Sequence, residues 1–430
     1  MAGWLILGYV LLTLAAGGAI AYVIGAGSVL TFLALGQGDY LAILPQRMFS
    51  QLDVFAFLAM PLFILTGELM NRGGIAQALI DFSMSIVGRL KGGLGHVNIL
   101  TSVFFAGISG SAAADAAALS NTLVPQMQRQ GYTLNYAAAV TAASSIIGPI
   151  IPPSIILIFY GALMNTPIAA LFAAGVLPGL MLAGVLLVVN GIAAHLYDHP
   201  GGKGAELPPL GPSFRKALPA LLLPVIILSG VLFGFTTPAE SAGIAVFAAL
   251  IIGFAYRELD ASKLRLACER TLMLLGAIFI ILCAISAFSY ITALAQWPQK
   301  ISAFVVDLGL SKTQYLLVLN VVFLVAGMVM DVKAAVALLA PIFVPVAIGM
   351  GVDPVHLGIV ICFNITVGLL SPPLGGVILI ISTVTGANYW QLIKATFPFF
   401  VVEIILLAAL VAFPAISLAL PTWLGLMPGQ

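Results

Sequence analysis

Oxygen-bearing side chains and helix-breaking residues occur together at two places in an otherwise apolar chain. The first place combines the Ser-Gly-Ser run at 109–111 and Asp115 with the segment IIGPIIPPS at 146–154. The second combines AGMVMD at 326–331 with ITVGLLSPP at 365–373. Proline has no N–H and leaves a carbonyl oxygen without its helical donor; such oxygens, with hydroxyls and a carboxylate, are ligands that small hard cations such as Na⁺ prefer. Because the N-terminal ends of broken helices also present N–H groups to an anion, this chemistry suits cation-coupled transport of an anionic solute.

The two places are related by a constant offset of 220 residues. Without a gap, this offset pairs Ala106 with Ala326, Gly107 with Gly327, Ala114 with Ala334, Pro125 with Pro345, Gly131 with Gly351, Gly148 with Gly368, Pro152 with Pro372, and Pro153 with Pro373. Coincidence is the alternative in a chain with 44 Gly and 25 Pro, but a run of matches that includes a proline doublet favours an internal repeat. Helix-breaking patterns in corresponding positions of two halves are typical of the binding sites of secondary transporters.

Helices that turn back or break inside a membrane are needed to position these residues. The chain of 430 residues is 62% hydrophobic and 7% charged, whereas soluble proteins have roughly 25% charged residues. We therefore predict an all-α polytopic membrane protein with on the order of a dozen segments that cross or partly cross the bilayer. Irregular backbone at membrane depth survives only where protein or water satisfies it. Each half should hold a helical hairpin and an interrupted helix, at about 97–130 and 136–163 in a first half (1–195) and at about 312–350 and 355–383 in a second half (217–430).

A polar loop at 196–216 separates the halves, and a second polar stretch at 256–271 follows two predicted spans, about 217–234 and 238–255. The two polar stretches carry seven of the 16 basic residues, so both are predicted to face the cytoplasm. Residues 260–271 are predicted to form either an amphipathic helix in the membrane interface or an ordinary loop helix. The absence of Lys and Arg from the first 46 residues argues against a cleavable signal peptide.

Composition and motifs also exclude or weaken several other functions. A net charge of +1 offers no basic face for nucleic acid, and no Walker A phosphate loop is present to bind ATP. The GxSG pattern at 107–110 matches intramembrane serine proteases, but that chemistry needs a histidine base on a nearby helix. His195, His199 and His356 lie in the polar loop or at a predicted helix start. A serine protease and a passive channel therefore stay as alternatives to a carrier.

Six motifs resemble the large membrane subunit of tripartite ATP-independent periplasmic (TRAP) transporters. They are FAGISGSAAADAAAL at 105–119, IIGPIIPPSIILIFYG at 146–161, LFAAGVLPG at 171–179, FTTPAESAG at 235–243, GVDPVHLG at 351–358 and GLLSPPLGG at 368–376. The resemblance implies two inverted-topology repeats, an elevator-type mechanism, sodium coupling and a multi-pass protein of the bacterial inner membrane. It also implies a small four-helix membrane subunit and a periplasmic substrate-binding protein that delivers an organic acid; sialic acid, dicarboxylates and other acids all remain open. Lys333 and Ser371 depart from the family pattern, where a small residue and a threonine are expected.

Symmetry of the repeat predicts two sodium sites with the solute between them. The first site is assigned to Ser109, Gly110, Ser111, Gly148 and Pro152, and the second to Gly327, Asp331, Thr366, Gly368 and Pro372. The carboxylate solute is assigned to Ser111, Asp115, Asn121, Ser144, Ser145 and Asn364. Asp115 has the alternative of capping the returning helix, and Asp331 that of capping its helix or pairing with Lys333.

Isolated polar residues are interpreted structurally. Glu68 and Glu403 are placed near helix ends, where they are expected to hydrogen-bond to a neighbouring helix or to reach the interface, with proton transfer as the alternative. Glu240 is predicted to occupy the first turn of a helix, where the dipole favours an acid. His195 and His199 are interpreted as solvated loop residues rather than metal ligands, because no third ligand is near them in sequence.

Overall fold

The architecture comes from a computed structural model, which describes residues 17–201 and 207–427 together with Tyr9, Leu12 and Thr13. Lys203, a basic residue of the predicted loop, lies outside the described residues. Within the described part of the chain, seven helices are long and apolar enough to cross a membrane. Counting the bent helix pair 38–52 and 55–72 as one span makes eight. The prediction of an all-α polytopic membrane protein is confirmed.

From residue 17 onward, the described part of the first half opens with four helices, α1 (Ile20–Ala34), α2 (Leu44–Leu52), α3 (Ala59–Arg72) and α4 (Ile75–Val87). Short 3₁₀ turns at Gly38–Ile43 and Phe55–Leu58 precede α2 and α3. Gly74 adopts a φ of +75° ahead of α4, a left-handed conformation that glycine reaches without the clash of a Cβ atom. The chain therefore turns sharply between α3 and α4.

A helical hairpin follows, formed by α5 (Gly93–Ser109) and α6 (Ala112–Arg129). Gly110 ends α5 with a φ of +56°, and the Ser111 hydroxyl caps α6 by accepting a hydrogen bond from the Ala114 backbone N–H at 3.5 Å. The chain continues through α7 (Leu134–Ser145), a break at 146–154, α8 (Ile155–Met164) and the long α9 (Ile168–Leu196). The break coincides with the prolines of the sequence motif, because proline cannot donate the hydrogen bonds that would continue α7.

Three long apolar helices lead into the second half, α10 (Leu210–Leu232), α11 (Pro238–Ala255) and α12 (Ala261–Leu294). After α13 (Trp297–Asp307), a second hairpin is formed by α14 (Lys312–Val329) and α15 (Val332–Gly349). A second interrupted helix is formed by α16 (Pro354–Gly368) and α17 (Gly376–Thr385), and α18 (Tyr389–Ala412) and α19 (Ala415–Trp423) follow.

The two hairpins enter the membrane from opposite faces. Lys91, at the base of α5, pairs with Asp198, just after α9, at 2.6 Å, so the first hairpin has its base on the side of the loop between the halves. Three spanning helices, α10 to α12, then lie between that loop and the base of the second hairpin. An odd number of crossings puts the two bases on opposite sides, and the repeats therefore have inverted topology. At the tips, Asp331 caps α15 as Ser111 caps α6, one repeat offset apart.

Two bodies can be distinguished by their contacts. In the hairpin body (α5–α8 and α14–α17), each hairpin packs against the broken helix of the other half, α6 on α17 and α15 on α8. In the scaffold (α1–α3 and α10–α12), α3 packs along α11, and α12 packs against α1, α2 and α3. The two bodies meet where α5 contacts α3 and where α15 contacts α12.

Two predicted boundaries are wrong. The loop predicted at 196–216 ends at Pro209, because 210–216 form the first turns of α10. The boundary was predicted from the polarity of this segment, but Arg215 and Lys216 are charged residues with good helix propensity. The predicted interfacial or loop helix at 260–271 is the start of α12, capped by Asp260, which accepts a hydrogen bond from the Lys263 N–H at 2.7 Å.

Candidate functional site

A cavity of about 340 Å³ lies between the hairpin body and the scaffold. The hairpin body contributes both tips and parts of both breaks, namely Ser109 to Ala114, Asp331 to Lys333, Pro149, Ile155, Ile156 and Leu369, together with Phe105. The scaffold contributes Ile64, Gly67, Glu68 and Asn71 of α3 and Leu274, Ala277, Ile278 and Ile281 of α12. Both halves of the repeat therefore meet at one cavity, in the position where secondary transporters bind their solutes.

Directly behind the first tip lies a fully buried carboxylate, Asp115. Its Oδ1 accepts a hydrogen bond from the Ser109 hydroxyl, while its Oδ2 has no hydrogen-bond partner among the described residues. A Cβ atom placed on Gly148 would lie 2.4 Å from this Oδ2, so the backbone of the first break runs against the carboxylate. A buried charge without a partner is costly, and a small cation would compensate it. Carboxylate, hydroxyl and backbone oxygens are the donors that such a cation binds.

The same tip is seated closely in its own break. A Cβ atom on Gly110 would lie 2.8 Å from the Pro153 carbonyl oxygen and 3.1 Å from the Ile155 nitrogen. No side chain larger than hydrogen fits between these backbones, which explains the glycine of the Ser-Gly-Ser run. The structure thus brings together the residues predicted for the first sodium site around the start of α6 and the break between α7 and α8.

The second tip approaches its break in the same way. A Cβ atom on Gly327 would lie 2.4 Å from the Ile365 carbonyl oxygen, and one on Gly368 would lie 2.8 Å from the Gly327 carbonyl carbon. The backbone N–H groups of Leu374 and Gly375 both donate to the Met328 carbonyl oxygen at 3.3 Å. Thr366, predicted as a ligand, donates its hydroxyl to the Cys362 carbonyl oxygen one turn back at 2.6 Å.

Asp331 is not enclosed as Asp115 is. Its carboxylate accepts a hydrogen bond from the Lys333 backbone N–H at 3.0 Å and pairs with the Lys333 ammonium at 3.3 Å. Half of the Asp331 side chain is exposed, and it faces the cavity rather than a closed pocket. The geometry is that of the alternative interpretation, a helix cap paired with Lys333, and the role of Asp331 as a sodium ligand stays a prediction.

Of the six residues assigned to the solute, only Ser111 lines the cavity. Ser144 donates to Asn98 Oδ1 at 3.0 Å, Ser145 to the Ala142 carbonyl at 2.7 Å, Asn364 to the Asn320 carbonyl at 2.8 Å, and Asn121, which is exposed, to the Ala117 carbonyl at 2.8 Å. These side chains join neighbouring helices or bond within their own. The cavity instead exposes Glu68, Asn71 and Lys333, none of which was assigned to the solute.

The structure corrects the sequence-based interpretation of Glu403 and His199 and agrees with that of Glu240. Glu403 is fully buried in the middle of α18, and neither carboxylate oxygen has a hydrogen-bond partner among the described residues, so its assignment to a helix end is wrong. His199 is not a solvated residue: its ring packs 4.0 Å from the Tyr136 ring, and burial lowers its pKa. Glu240 does lie in a first turn, where it accepts a hydrogen bond from the Thr237 N–H at 2.7 Å.

Ser109, the serine of the GxSG pattern, shares its hydroxyl hydrogen with Asp115 rather than with a histidine. No histidine is among the described residues that line the cavity. Two inverted helical hairpins have their tips at one cavity, where they meet two broken helices. This arrangement defines a solute carrier, a class of multi-pass membrane protein whose activity does not require a nucleophilic side chain.

Comparison with known proteins identifies the kind of carrier. The family model described as "Tripartite ATP-independent periplasmic transporter, DctM component" matches residues 7–416. The C4-dicarboxylate TRAP transporter large permease protein DctM of Pseudomonas aeruginosa is 38% identical over 408 residues, 94% of each chain. The sialic acid TRAP transporter large permease protein SiaM of Vibrio cholerae is 35% identical, over 91% of this chain and 92% of its own. The chain therefore belongs to the DctM component family of TRAP transporters.

A solved structure shares the fold. The YdaH transporter of Alcanivorax borkumensis aligns with a TM-score of 0.64 at 14% identity, covering 96% of this chain and 98% of its own. Because the relatives are permeases, the protein is a transporter subunit and not an enzyme, and the protease alternative is set aside. The family is tripartite, so this chain is the large membrane component of an assembly.

Proposed function

We propose that this protein imports an organic acid across the bacterial inner membrane, driven by an inward sodium gradient. A periplasmic substrate-binding protein delivers the acid, and a small four-helix membrane subunit completes the complex. The names of the two relatives support the solute class, because C4-dicarboxylates and sialic acid are both carboxylates. Exposed apolar side chains on α11, such as Phe247 and Ile251, are consistent with lipid or with a helical partner in the bilayer.

The buried carboxylate of Asp115 carries the sodium assignment. It joins Ser109, Gly110, Ser111 and the break from Gly148 to Pro152 in a first sodium site, where its Oδ2 lacks any other partner among the described residues. The second site lies between the tip, Gly327 to Asp331, and the break, where Thr366, Gly368 and Pro372 supply oxygens. In this site the Lys333 ammonium pairs with Asp331 at 3.3 Å.

The position of the cavity supports an elevator mechanism, in which the hairpin body slides against the scaffold. The cavity lies where the two bodies meet, and its polar scaffold residues, Glu68 and Asn71, are in the last turns of α3. Directly after α3, Gly73 approaches Gly253 near the end of α11, just before the basic stretch that we predict to be cytoplasmic. The cavity therefore opens toward the cytoplasm, and the outward-facing state requires the hairpin body to move along the scaffold.

Reconstitution tests coupling and assembly together. The protein should be placed in proteoliposomes with its small subunit, and the binding protein loaded with acid should be added outside. We expect accumulation of acid against its gradient when Na⁺ is imposed inward, and only when all three components are present. Full uptake in sodium-free buffer driven by a proton gradient would refute sodium coupling, uptake by this chain alone would refute the tripartite assembly, and equilibration without accumulation would indicate a channel.

A substitution at Asp331 tests the second site. Asp331→Asn should keep the helix cap, because asparagine caps helices as well as aspartate does, but it removes the charge that a sodium ion would bind. We expect a folded protein whose uptake requires higher Na⁺ concentrations for half-maximal rate. Asp353→Asn is the matched control, since Asp353 caps α16 through the Val355 N–H at 2.8 Å and lies outside the cavity lining. Equal sodium dependence in both variants and the unmodified protein would rule out Asp331 as a ligand.

A further inference from the structure

Two arginines on the surface of the scaffold have no acidic partner. Arg215, in the second turn of α10, and Arg257, directly after α11, are both exposed, and neither forms an ion pair among the described residues. The acid next to Arg257 in the chain, Glu258, is already paired with Lys263 at 3.5 Å. Two positive charges on this part of the surface are therefore uncompensated.

A contact between α10 and α11 brings the two arginines to one place. The Tyr256 hydroxyl donates a hydrogen bond to the Lys216 carbonyl oxygen, so the residue before Arg257 touches the residue after Arg215. The Lys216 ammonium points to Asp81 of α4, at 4.0 Å. Arg215 and Arg257 therefore mark the point where the paired helices α10 and α11 meet the membrane surface, on the side that we predict to be cytoplasmic.

Arg257 occupies a backbone position that favours glycine. Its φ is +57°, in the left-handed region that commonly follows the end of a helix and that glycine adopts without a steric clash of its Cβ atom. A non-glycine residue held in such a conformation is a frequent property of functional sites. The guanidinium of Arg257 is thus placed beside α10 at a conformational cost to the backbone.

Below the arginines, an apolar groove runs between the same two helices. Arg215, Leu222 and Ile226 share one face of α10, since they are seven and four residues apart, and Leu222 and Ile226 are exposed. On α11, Ile244 and Ile251 are exposed seven residues apart. Ile226 and Ile244 line one surface cavity of about 210 Å³, so the exposed faces of α10 and α11 open into a common groove.

The length of this groove matches one leaflet of a bilayer. Eleven residues separate Arg215 from Ile226, which is a rise of about 16 Å along a helix, and half of the hydrocarbon core is roughly 15 Å thick. A phospholipid with its phosphate at Arg215 therefore places its acyl chains beside Leu222 and Ile226. A zwitterionic headgroup brings its own cation close to the arginines, so a headgroup with a net negative charge is the better match.

We propose that this groove between α10 and α11 is a binding site for an anionic phospholipid. Its phosphate binds the Arg215 and Arg257 guanidinium groups, whose paired N–H donors suit phosphate oxygens, and its acyl chains cover Leu222, Ile226 and Ile251. Basic residues at the cytoplasmic ends of membrane helices recognise such headgroups. α10 and α11 belong to the scaffold, so the lipid anchors the body that stays still in the proposed elevator mechanism.

Lipid binding to the purified complex of this chain with its small subunit tests the site, with native mass spectrometry as the readout. Phosphatidylglycerol is the anionic probe, and phosphatidylethanolamine with the same acyl chains is the zwitterionic comparison. We expect phosphatidylglycerol to bind at least about tenfold more tightly and to raise the melting temperature, because it binds the folded state. Glycerol 3-phosphate should bind at least about tenfold more weakly than phosphatidylglycerol, since it has no acyl chain to fill the groove.

Variants at the two arginines locate the binding determinants. Arg215→Gln and Arg257→Gln should each weaken phosphatidylglycerol binding by about tenfold, because each removes a charge-assisted hydrogen bond to the phosphate. Lys394→Gln is the matched control, since Lys394 is exposed on α18 and forms no ion pair among the described residues. It should bind phosphatidylglycerol normally. Equal melting temperatures without added lipid establish that all three variants are folded.

Three results would overturn the proposal. They are equal affinity for the two phospholipids, normal phosphatidylglycerol binding by both arginine variants, and binding that depends on the arginines in this chain alone but disappears in the complex. The last result would show that the small subunit, not a lipid, occupies the groove. None of them bears on sodium-driven uptake of an organic acid, which the reconstitution experiment measures separately.

Discussion

Asp115→Asn is expected to abolish sodium-driven uptake while leaving the protein folded. Asparagine matches aspartate in size and keeps an oxygen that accepts the Ser109 hydroxyl hydrogen, but it carries no charge to hold a cation. Removing one partner of a buried ion pair costs roughly 3–5 kcal/mol, which corresponds to a loss of at least about a hundredfold in Na⁺ affinity. In sodium-free buffer the variant should melt at the same temperature as the unmodified protein or higher, since it no longer buries an unpaired carboxylate.

Sodium-dependent thermal unfolding and sodium-driven uptake measure the two consequences separately. In the unmodified protein, added Na⁺ should raise the melting temperature, because an ion that binds only the folded state stabilises it. In Asp115→Asn this rise should shrink to the part that the second site contributes, and sodium-driven uptake should be lost. Asp307→Asn, which alters an exposed acid at the end of α13, is the matched control and should retain both. An Asp115→Asn protein that Na⁺ stabilises as strongly as it stabilises the unmodified protein would move the first sodium site away from this carboxylate.

The backbone breaks could be predicted from the sequence because their causes are local. Proline removes a hydrogen-bond donor wherever it occurs, so the break at 146–154 follows from its prolines alone. The repeat then transfers each local feature to the second half, which is why Ser111 and Asp331 occupy equivalent capping positions. Hairpins and interrupted helices are consequences of residues near one another in the chain.

The cavity could not be predicted in the same way, because its walls come from helices far apart in sequence. Glu68 on α3 reaches the hairpin tips only through the packing of the scaffold on the hairpin body, and no periodicity in the sequence encodes that contact. Ser144 and Asn364 are polar residues in apolar helices. Such a pattern is equally consistent with solute binding and with hydrogen bonds between helices. Their hydrogen bonds to Asn98 and Asn320 decide between the two, and those partners lie 46 and 44 residues away.

Gly327, near the tip of the second hairpin, lies against the backbone of α16. Adding a single methyl group at this position is therefore expected to have a large effect. Gly327→Ala would place a Cβ atom 2.4 Å from the Ile365 carbonyl oxygen and 3.0 Å from the Ile365 Cα, and both atoms belong to the backbone of α16, which cannot rotate away. The tip must therefore lift from its break. Overpacking of this kind costs typically about 1–3 kcal/mol, and it separates the backbone oxygens proposed for the second sodium site. We expect a lower melting temperature and uptake reduced by at least about tenfold.

Gly349→Ala, at the end of α15 in the same hairpin, is the matched control. Nothing lies within 4 Å of a Cβ atom at that position, and alanine is more favourable than glycine in a helix by up to about 1 kcal/mol. This variant should melt at the same temperature as the unmodified protein or slightly higher, with normal uptake. If Gly327→Ala behaved like Gly349→Ala in both measurements, close contact between the tip and the Ile365 backbone would not be required for stability or uptake. The proposal that this contact assembles the second sodium site would then be refuted.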